Sequence, residues 1–217
     1  MLYMFFADGF EEVEAVATLD VIRRAGIEIT SVGLGSKSVK GSHNIEINCD
    51  TTDAEIALND SITGVILPGG MPGTTNLMKN EVVNSFIDYC AENKLLLSAI
   101  CAAPMILGRK NLLNGCKAIC FPGFEDELLG AEISDNFVCT DKNIITAKGP
   151  GLSSDFAFCL IEKLAGTEMA DQVYDNPLGH VQYKHSENMA ESSTCKKADG
   201  GLGNQAKFTD ENSDYQP

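Results

Sequence analysis

The stretch Leu95–Leu107, LLLSAICAAPMIL, decides the fold of this 217-residue chain, because one apolar run changes period inside it. Leu95, Leu96, Leu97, Ala99 and Ile100 form a short, near-continuous apolar run, as a strand buried on both faces of a parallel sheet requires. Ala102, Ala103, Met105, Ile106 and Leu107 then suit a helix, with Pro104 acceptable in its first turn. Cys101 stands at the corner between them. Such a corner aims its central side chain out of the sheet, and the small neighbours Ala99 and Ala103 permit a tight turn. The unpaired N–H groups and partial positive charge of a following helix favour thiolate over thiol. This is the logic of a nucleophile elbow, with cysteine in place of serine. The plainer reading is a buried structural cysteine.

Outward from this corner, strands and helices alternate. Leu2–Ala7 reads as a buried strand and Glu11–Ala25 as a helix with an acidic start, Arg23 and Arg24 near its end, and Gly26 closing it. Ile27–Leu34 is a second strand, followed by weaker strand-like pieces around Val39 and Ile45–Ile47. Ile62–Leu67 is a third buried strand, ended by Pro68-Gly69-Gly70, and Glu81–Asn93 a helix. After the Cys101 corner, Lys117–Cys120 is strand-like, Glu125–Leu129 a short helix, and Val138–Ala147 two strands about the polar turn Asp141-Lys142-Asn143. Ser153–Leu164 is the last helix. The order predicts an α/β fold with a mostly parallel central sheet, in which Leu2–Ala7, Ile27–Leu34, Ile62–Leu67 and Leu95–Ile100 are neighbours. Sites in such folds lie beyond the carboxyl ends of the strands. Cys101, Gly69-Gly70 and the loop before Glu11 all fall there.

Residues 1–178 suffice for one domain with a sizeable core. Residues 179–217 are polar, with few large apolar side chains, and read as a disordered tail. The tail holds 6 acidic and 4 basic residues, so −13 of the net charge of −15 belongs to the domain. That charge argues against a generic nucleic-acid or anionic-membrane surface. No apolar run approaches the length of a membrane span, and the first residues, MLYMFFADGF, lack the basic flank of a signal peptide. The 8 cysteines are scattered, mostly in apolar runs, which suits a reducing, cytoplasmic protein rather than a disulfide scaffold. Cys116 and Cys120 lie four apart, but no second cluster completes a zinc site, and no pattern calls for a metal or other cofactor.

Three further groups bear on the thiol. Glu14 heads a helical stripe with Ala17, Val21 and Ala25. It either points inward across the strand ends or is solvated like Glu11 and Glu12. Beside the thiol, an ionised Glu14 would raise the thiol pKa, whereas a protonated one could donate a hydrogen bond to the thiolate. Gly69 and Gly70 let backbone N–H groups approach a ligand, and with the Ala102 N–H they can form an oxyanion hole; a mere tight turn is the alternative. Gly149-Pro150-Gly151 marks another strand-to-helix turn able to line a pocket. Of the three histidines, His180 and His185 fall in the tail, so a Cys–His pair would need His43, in a weakly structured region where a surface role is commoner.

With these residues assembled, the chain resembles the ThiJ/PfpI superfamily, in the branch of the Parkinson-disease protein deglycase and its bacterial relatives. The matching pieces are ADGFEEVEAVATLDVIRRAGIEIT, VILPGGMPGTTNL, LLLSAICAAPMILG, CFPGFEDEL and ITAKGPGLSSDFAFCLIEKLAG, in family order over roughly residues 1–175. The resemblance implies a flavodoxin-like three-layer sandwich and a homodimer. It assigns the reactive, oxidation-prone cysteine to Cys101, the partly buried protonated glutamate to Glu14, and the backbone donors to Gly70 and Ala102. One departure stands out: members credited with glyoxalase or deglycase chemistry often carry a histidine where this chain has Phe121. Acid–base work then falls to Glu14 or water. Two functions follow. In one, Cys101 attacks methylglyoxal, glyoxal or an early glycation adduct, glyoxalase III-like or deglycase-like, and lactate is the product. In the other, the protein is an oxidative-stress sensor or redox chaperone whose Cys101 oxidises to sulfinate. An amidotransferase-like or peptidase hydrolase wants a Cys–His pair, and the histidine count speaks against it.

Overall fold

A computed structural model describes residues 1–175. The expected boundary near residue 178 and the polar stretch 179–217, with His180, His185 and Cys195, lie outside the described residues.

The elements run β1 (Leu2–Phe6), α1 (Glu12–Arg24), β2 (Ile29–Gly33), β3 (Ser38–Lys40), β4 (Glu46–Asn48), β5 (Thr51–Thr52), β6 (Gly64–Leu67), α2 (Gly73–Lys79), α3 (Glu81–Glu92), β7 (Leu96–Ile100), α4 (Pro104–Arg109), β8 (Lys117–Ala118), β9 (Glu132–Ile133), β10 (Val138–Asp141), β11 (Ile144–Ala147), α5 (Ser153–Ala165) and α6 (Thr167–Asp175). A seven-stranded sheet has the order β10-β11-β7-β6-β1-β2-β5. The four expected neighbours are adjacent and parallel, with Leu2 opposite both Ile29 and Gly64, and Gly64 opposite Leu96. Only β10 runs antiparallel, as the outer half of a hairpin with β11. The pieces around Val39 and Ile47 pair with each other as a β3–β4 hairpin outside that sheet.

Two cores lie on opposite faces of the sheet, and β1 feeds both through its pleat. Tyr3 and Phe5 pack with Phe86 and Ile87 of α3 and with Ile106 and Leu107 of α4. Leu2, Met4 and Phe6 pack with Ala15 and Ile22 of α1 and with Phe156 and Leu160 of α5. This is a three-layer, flavodoxin-like sandwich. The elbow helix starts later than its apolar run suggests, with Pro104 in its first turn, because Cys101–Ala103 are spent on the corner. The stretch expected as a helix over Glu125–Leu129 is a short 3-10 turn at Glu125–Glu127. Both α2 and α6 are additions to the expected list. The carboxyl ends of β1, β6 and β7 therefore converge, and the residues that follow each strand build the site.

Candidate functional site

Cys101 follows β7 directly and has φ 63°. A cysteine rarely adopts this left-handed conformation, and holding one there costs on the order of 1–3 kcal/mol. Hydrogen bonds on both sides fix it: the Cys101 N–H donates to Ala147 O at 2.9 Å, and Cys101 O accepts the Phe121 N–H at 2.8 Å. Among the six described free cysteines, Cys49, Cys90, Cys101, Cys116, Cys120 and Cys139, only Cys101 is not buried.

Glu14 comes to the same place from α1 and is fully buried, 0% exposed. The buried stripe of α1 runs through Ala15, Thr18 and Ile22, whereas Ala17, Val21 and Ala25 are only half-buried. The expected stripe was thus displaced around the helix, because α5 covers the Thr18 side, where the Thr18 hydroxyl donates to Ser153 O. Glu14 Oε2 accepts the Gly69 N–H at 2.9 Å. Its Oε1 is buried with no hydrogen-bond partner among the described residues.

Gly69 is the spacer between the two side chains. A Cβ at this position would lie 2.6 Å from Cys101 Cβ and 2.7 Å from Glu14 Oε2, so only glycine permits the approach. Gly70 has φ +88°, and a Cβ there would lie 2.3 Å from the Glu11 nitrogen. Gly69 O in turn accepts the Glu11 N–H, locking the β6 turn to the start of α1.

Burial pushes the Glu14 carboxyl up to about 7, against hydrogen bonds with the Cys101 thiol and the Gly69 N–H that pull it down. Burial also pushes the Cys101 thiol up, with the charge and hydrogen bonding of Glu14 adding to it, while the N–H groups of Ala102 and Gly70 pull it down. The expectation that a helix N-terminus makes this thiol acidic is thus outweighed. The two groups are a coupled pair, and their protons leave in steps that belong to both. Near neutral pH the first of the pair's two protons leaves, and one remains between Glu14 and the thiol. With the proton on Glu14, the carboxylate charge that opposes a thiolate is gone and the Ala102 and Gly70 donors remain. Of the expected donors, Gly70 and Ala102 act on the sulfur, whereas the Gly69 N–H is spent on Glu14.

Phe121 supplies no acid or base. Its ring is 43% exposed and lies against Gly149, where an added Cβ would meet it at 3.2 Å. Phe121 and the Gly149 turn therefore lie against each other.

A second cluster stands beside the site and was not foreseen. Glu12 is 5% exposed, although its sequence position suggests a solvated first-turn residue. Its Oε1 accepts the His43 N–H at 2.6 Å and its Oε2 meets His43 Nδ1 at 2.9 Å. Its oxygens also accept from Ser42 Oγ at 3.2 Å and Ile45 N at 3.4 Å. Burial alone would raise this carboxyl, yet the donors from His43, its own backbone and Ile45 bring it down to about 2. The same partnership raises the His43 pKa. Donor atoms of Glu11, Glu12 and His43 lie within 4.8 Å of one another, the spacing of a metal site, but these carboxylate oxygens are already engaged by N–H and hydroxyl donors. No signal short of folding could have found this, since the donors come from about thirty residues further along the chain. No helix among the described residues is long and apolar enough to cross a membrane.

A strained cysteine elbow beside a buried glutamate, at the carboxyl edge of a flavodoxin-like sheet, agrees with the family model that matches residues 1–163, the DJ-1/PfpI family. The chain belongs to this family. It is 35% identical over 173 residues to Protein dj-1beta of Drosophila melanogaster, covering 78% of this chain and 92% of that one. It is 28% identical over 166 residues to the glutathione-independent glyoxalase DJR-1.2 of Caenorhabditis elegans, covering 75% and 87%. The structure of oxidized Toxoplasma gondii DJ-1 is similar with a TM-score of 0.76 at 29% identity, over 79% of this chain and 94% of that one.

Proposed function

We propose that the protein converts methylglyoxal, glyoxal or their early adducts to the hydroxy acid through Cys101 and Glu14. The observation that carries this reading is the Glu14–Cys101 pair, held on either side of Gly69 with Glu14 brought to about 7. A general base works best with a pKa near the operating pH. Glu14 takes the thiol proton as Sγ bonds to the aldehyde carbon of methylglyoxal, and the Gly70 and Ala102 N–H groups receive the oxyanion. Glu14 returns that proton to the oxyanion and then removes the C–H proton of the same carbon, forming an enediolate as the ketone oxygen takes the hydroxyl proton. Glu14 delivers its proton to the neighbouring carbon, leaving a lactoyl thioester. Water adds, the C–S bond breaks, lactate leaves, and the thiol regains its proton. Overall, one water is consumed per aldehyde and no oxidant is needed. The relative named a glutathione-independent glyoxalase supports the substrate class.

The test is lactate formation from methylglyoxal in thiol-free, amine-free buffer, because loss of the aldehyde alone also follows from adduct formation. Wild type should produce lactate, and Cys101→Ser and Glu14→Leu should not. Lactate at the wild-type rate from Cys101→Ser ends the proposal.

A second reading, peroxide sensing, is favoured by one fact: Cys101 alone among the described free thiols is not buried. There the same donors would hold a sulfinate. Limited peroxide followed by peptide mass analysis should then find two added oxygens at Cys101 first, and another thiol oxidised first removes this reading. We also propose a homodimer. Val13 and Val16 on α1 and Ile45 beside the Glu12 cluster are exposed apolar residues, suited to burial against a second copy.

A further inference from the structure

Cys116 and Lys142, remote from Cys101, meet where β8 begins. Cys116 is 5% exposed. Lys142 Nζ lies 3.5 Å from Cys116 Sγ and 3.5 Å from Gly115 O. The thiol itself points toward Asn114 O at 4.0 Å, leaving sulfur lone pairs to face the lysine.

The lysine is delivered by a braced turn. Lys142 stands between β10 and β11 with φ 55°. On one side Asp141 Oδ2 accepts the Lys117 N–H at 2.7 Å, and on the other Asn143 Nδ2 donates to Leu95 O at 2.6 Å. Both residues flanking Lys142 are therefore tied to the body of the domain, and one of these ties runs to the residue after Cys116. A nucleophile so placed has a high effective concentration at its target. The competing thiol is Cys139 on β10, as buried as Cys116 and with its pKa raised by burial.

We infer that Cys116 and Lys142 are a modification site, at which a peroxide drives a covalent sulfur–nitrogen cross-link. In the first step the sulfur attacks hydrogen peroxide, the O–O bond breaks, sulfenic acid forms and one water leaves. In the second, the unprotonated Lys142 amine attacks the sulfenic sulfur, the S–N bond forms, the S–O bond breaks and a second water leaves. One thiol, one amine and one peroxide thus give a sulfenamide and two waters, with sulfur oxidised by two electrons and peroxide reduced by two. Sulfenic acids condense with nitrogen in this way. A thiol reductant reverses the link by giving back thiol and amine and leaving as a disulfide. The link closes a ring through residues 116–142, which includes Phe121 and so reaches the wall of the Cys101 site.

The test is trypsin digestion of peroxide-treated, unreduced protein. Trypsin releases residues 111–117 with Cys116, and cutting after Lys142 ends the peptide that begins at residue 118. In the cross-linked protein, cleavage after Lys142 is blocked and peptide 111–117 stays joined to 118–148, two hydrogens lighter than the two together. Dithiothreitol should separate them. The yield should rise between pH 7 and 9, because only an unprotonated amine attacks the sulfenic sulfur. Lys142→Arg keeps the cation without the nucleophile, so dimedone should label Cys116 in that variant and little in wild type. Cys116 recovered from wild type as sulfinate, or as a disulfide with Cys139, overturns the inference. So does equal dimedone labelling of Cys116 in the two proteins.

Discussion

Glu12 and Glu14 stand two residues apart on one helix with little of either exposed to solvent, yet the protein drives them in opposite directions, to about 2 and about 7. Burial raises both. Glu14 lies deeper in the protein and is raised more, and the two differ as well in the supply of donors. Around Glu12 the Ser42–Ile45 loop sends in two backbone N–H groups, an imidazole and a hydroxyl. Around Glu14 there is the Gly69 N–H and a thiol, and one carboxyl oxygen goes without a partner. A buried carboxylate given three or more donors becomes a fixed structural anion, and one given a single N–H becomes a proton carrier. The comparison teaches that depth and donor supply together decide what a shielded carboxylate is for.

The largest effect expected from breaking this comparison is on turnover. Glu14→Leu removes the carrier and should lower lactate formation by about 10²-fold or more, the usual loss when general acid–base catalysis is deleted. Gly69→Ala should act as strongly without touching either side chain's chemistry, because the added Cβ collides with Cys101 Cβ and Glu14 Oε2. Wild-type lactate rates in both variants would mean that the pair is not the working site.

Next comes stability, and here the two carboxylates should show opposite signs. Glu14 moves from its ordinary 4.5 to about 7. A raised acid contributes stability that is fully present below its unfolded pKa and is lost as pH rises through the folded one. At about 1.4 kcal/mol per pH unit the loss between pH 4.5 and just above 7 is about 3 kcal/mol. Glu14→Gln, which resembles the protonated acid, should therefore gain on wild type by up to that amount at pH 8.5 and differ little at pH 4.5, as read by urea denaturation at the two pH values. Glu12 is lowered from 4.5 to about 2, so its contribution is present above 4.5 and lost as pH falls through about 2. Glu12→Gln should lose about 1–3 kcal/mol at pH 7. The smallest effect belongs to His43→Ala, which leaves the two backbone donors in place; only a slight fall in Tm is expected from thermal melts.

The sequence carried the sheet well, because Leu2–Phe6, Gly64–Leu67 and Leu96–Ile100 are apolar on both faces and short, as buried parallel strands must be. The helices α2 and α6 escaped it. GTTNLMK is polar, only seven residues long and preceded by Pro72, and TEMADQVYD buries only Ala170 fully. The position of Cys101 was legible from the change of period at the end of β7. Sequence leaves Glu14 either inward or solvated, and helical spacing sets its stripe on Ala17, Val21 and Ala25, which are only half-buried. Helical spacing tells which residues share a face but not which face α5 covers. The Glu12 cluster was invisible because two of its donors are backbone N–H groups of a loop, which carry no side-chain signature, and the other two, from Ser42 and His43, lie about thirty residues along the chain. His43 was read as a surface residue, and its ring is indeed 62% exposed, yet its inner nitrogen holds Glu12.

The account's central claim is that Glu14 and Cys101 share one proton at neutral pH. The most direct test is the rate of Cys101 alkylation by iodoacetamide from pH 5 to 9, in wild type and in Glu14→Gln, with peptide mass analysis to confirm the site. Wild type should show a rise centred near 7, where the pair loses its first proton, and Glu14→Gln should lack that inflection while keeping a single thiol titration of its own. An inflection near 7 that survives unchanged in Glu14→Gln would show that the two groups do not share the proton.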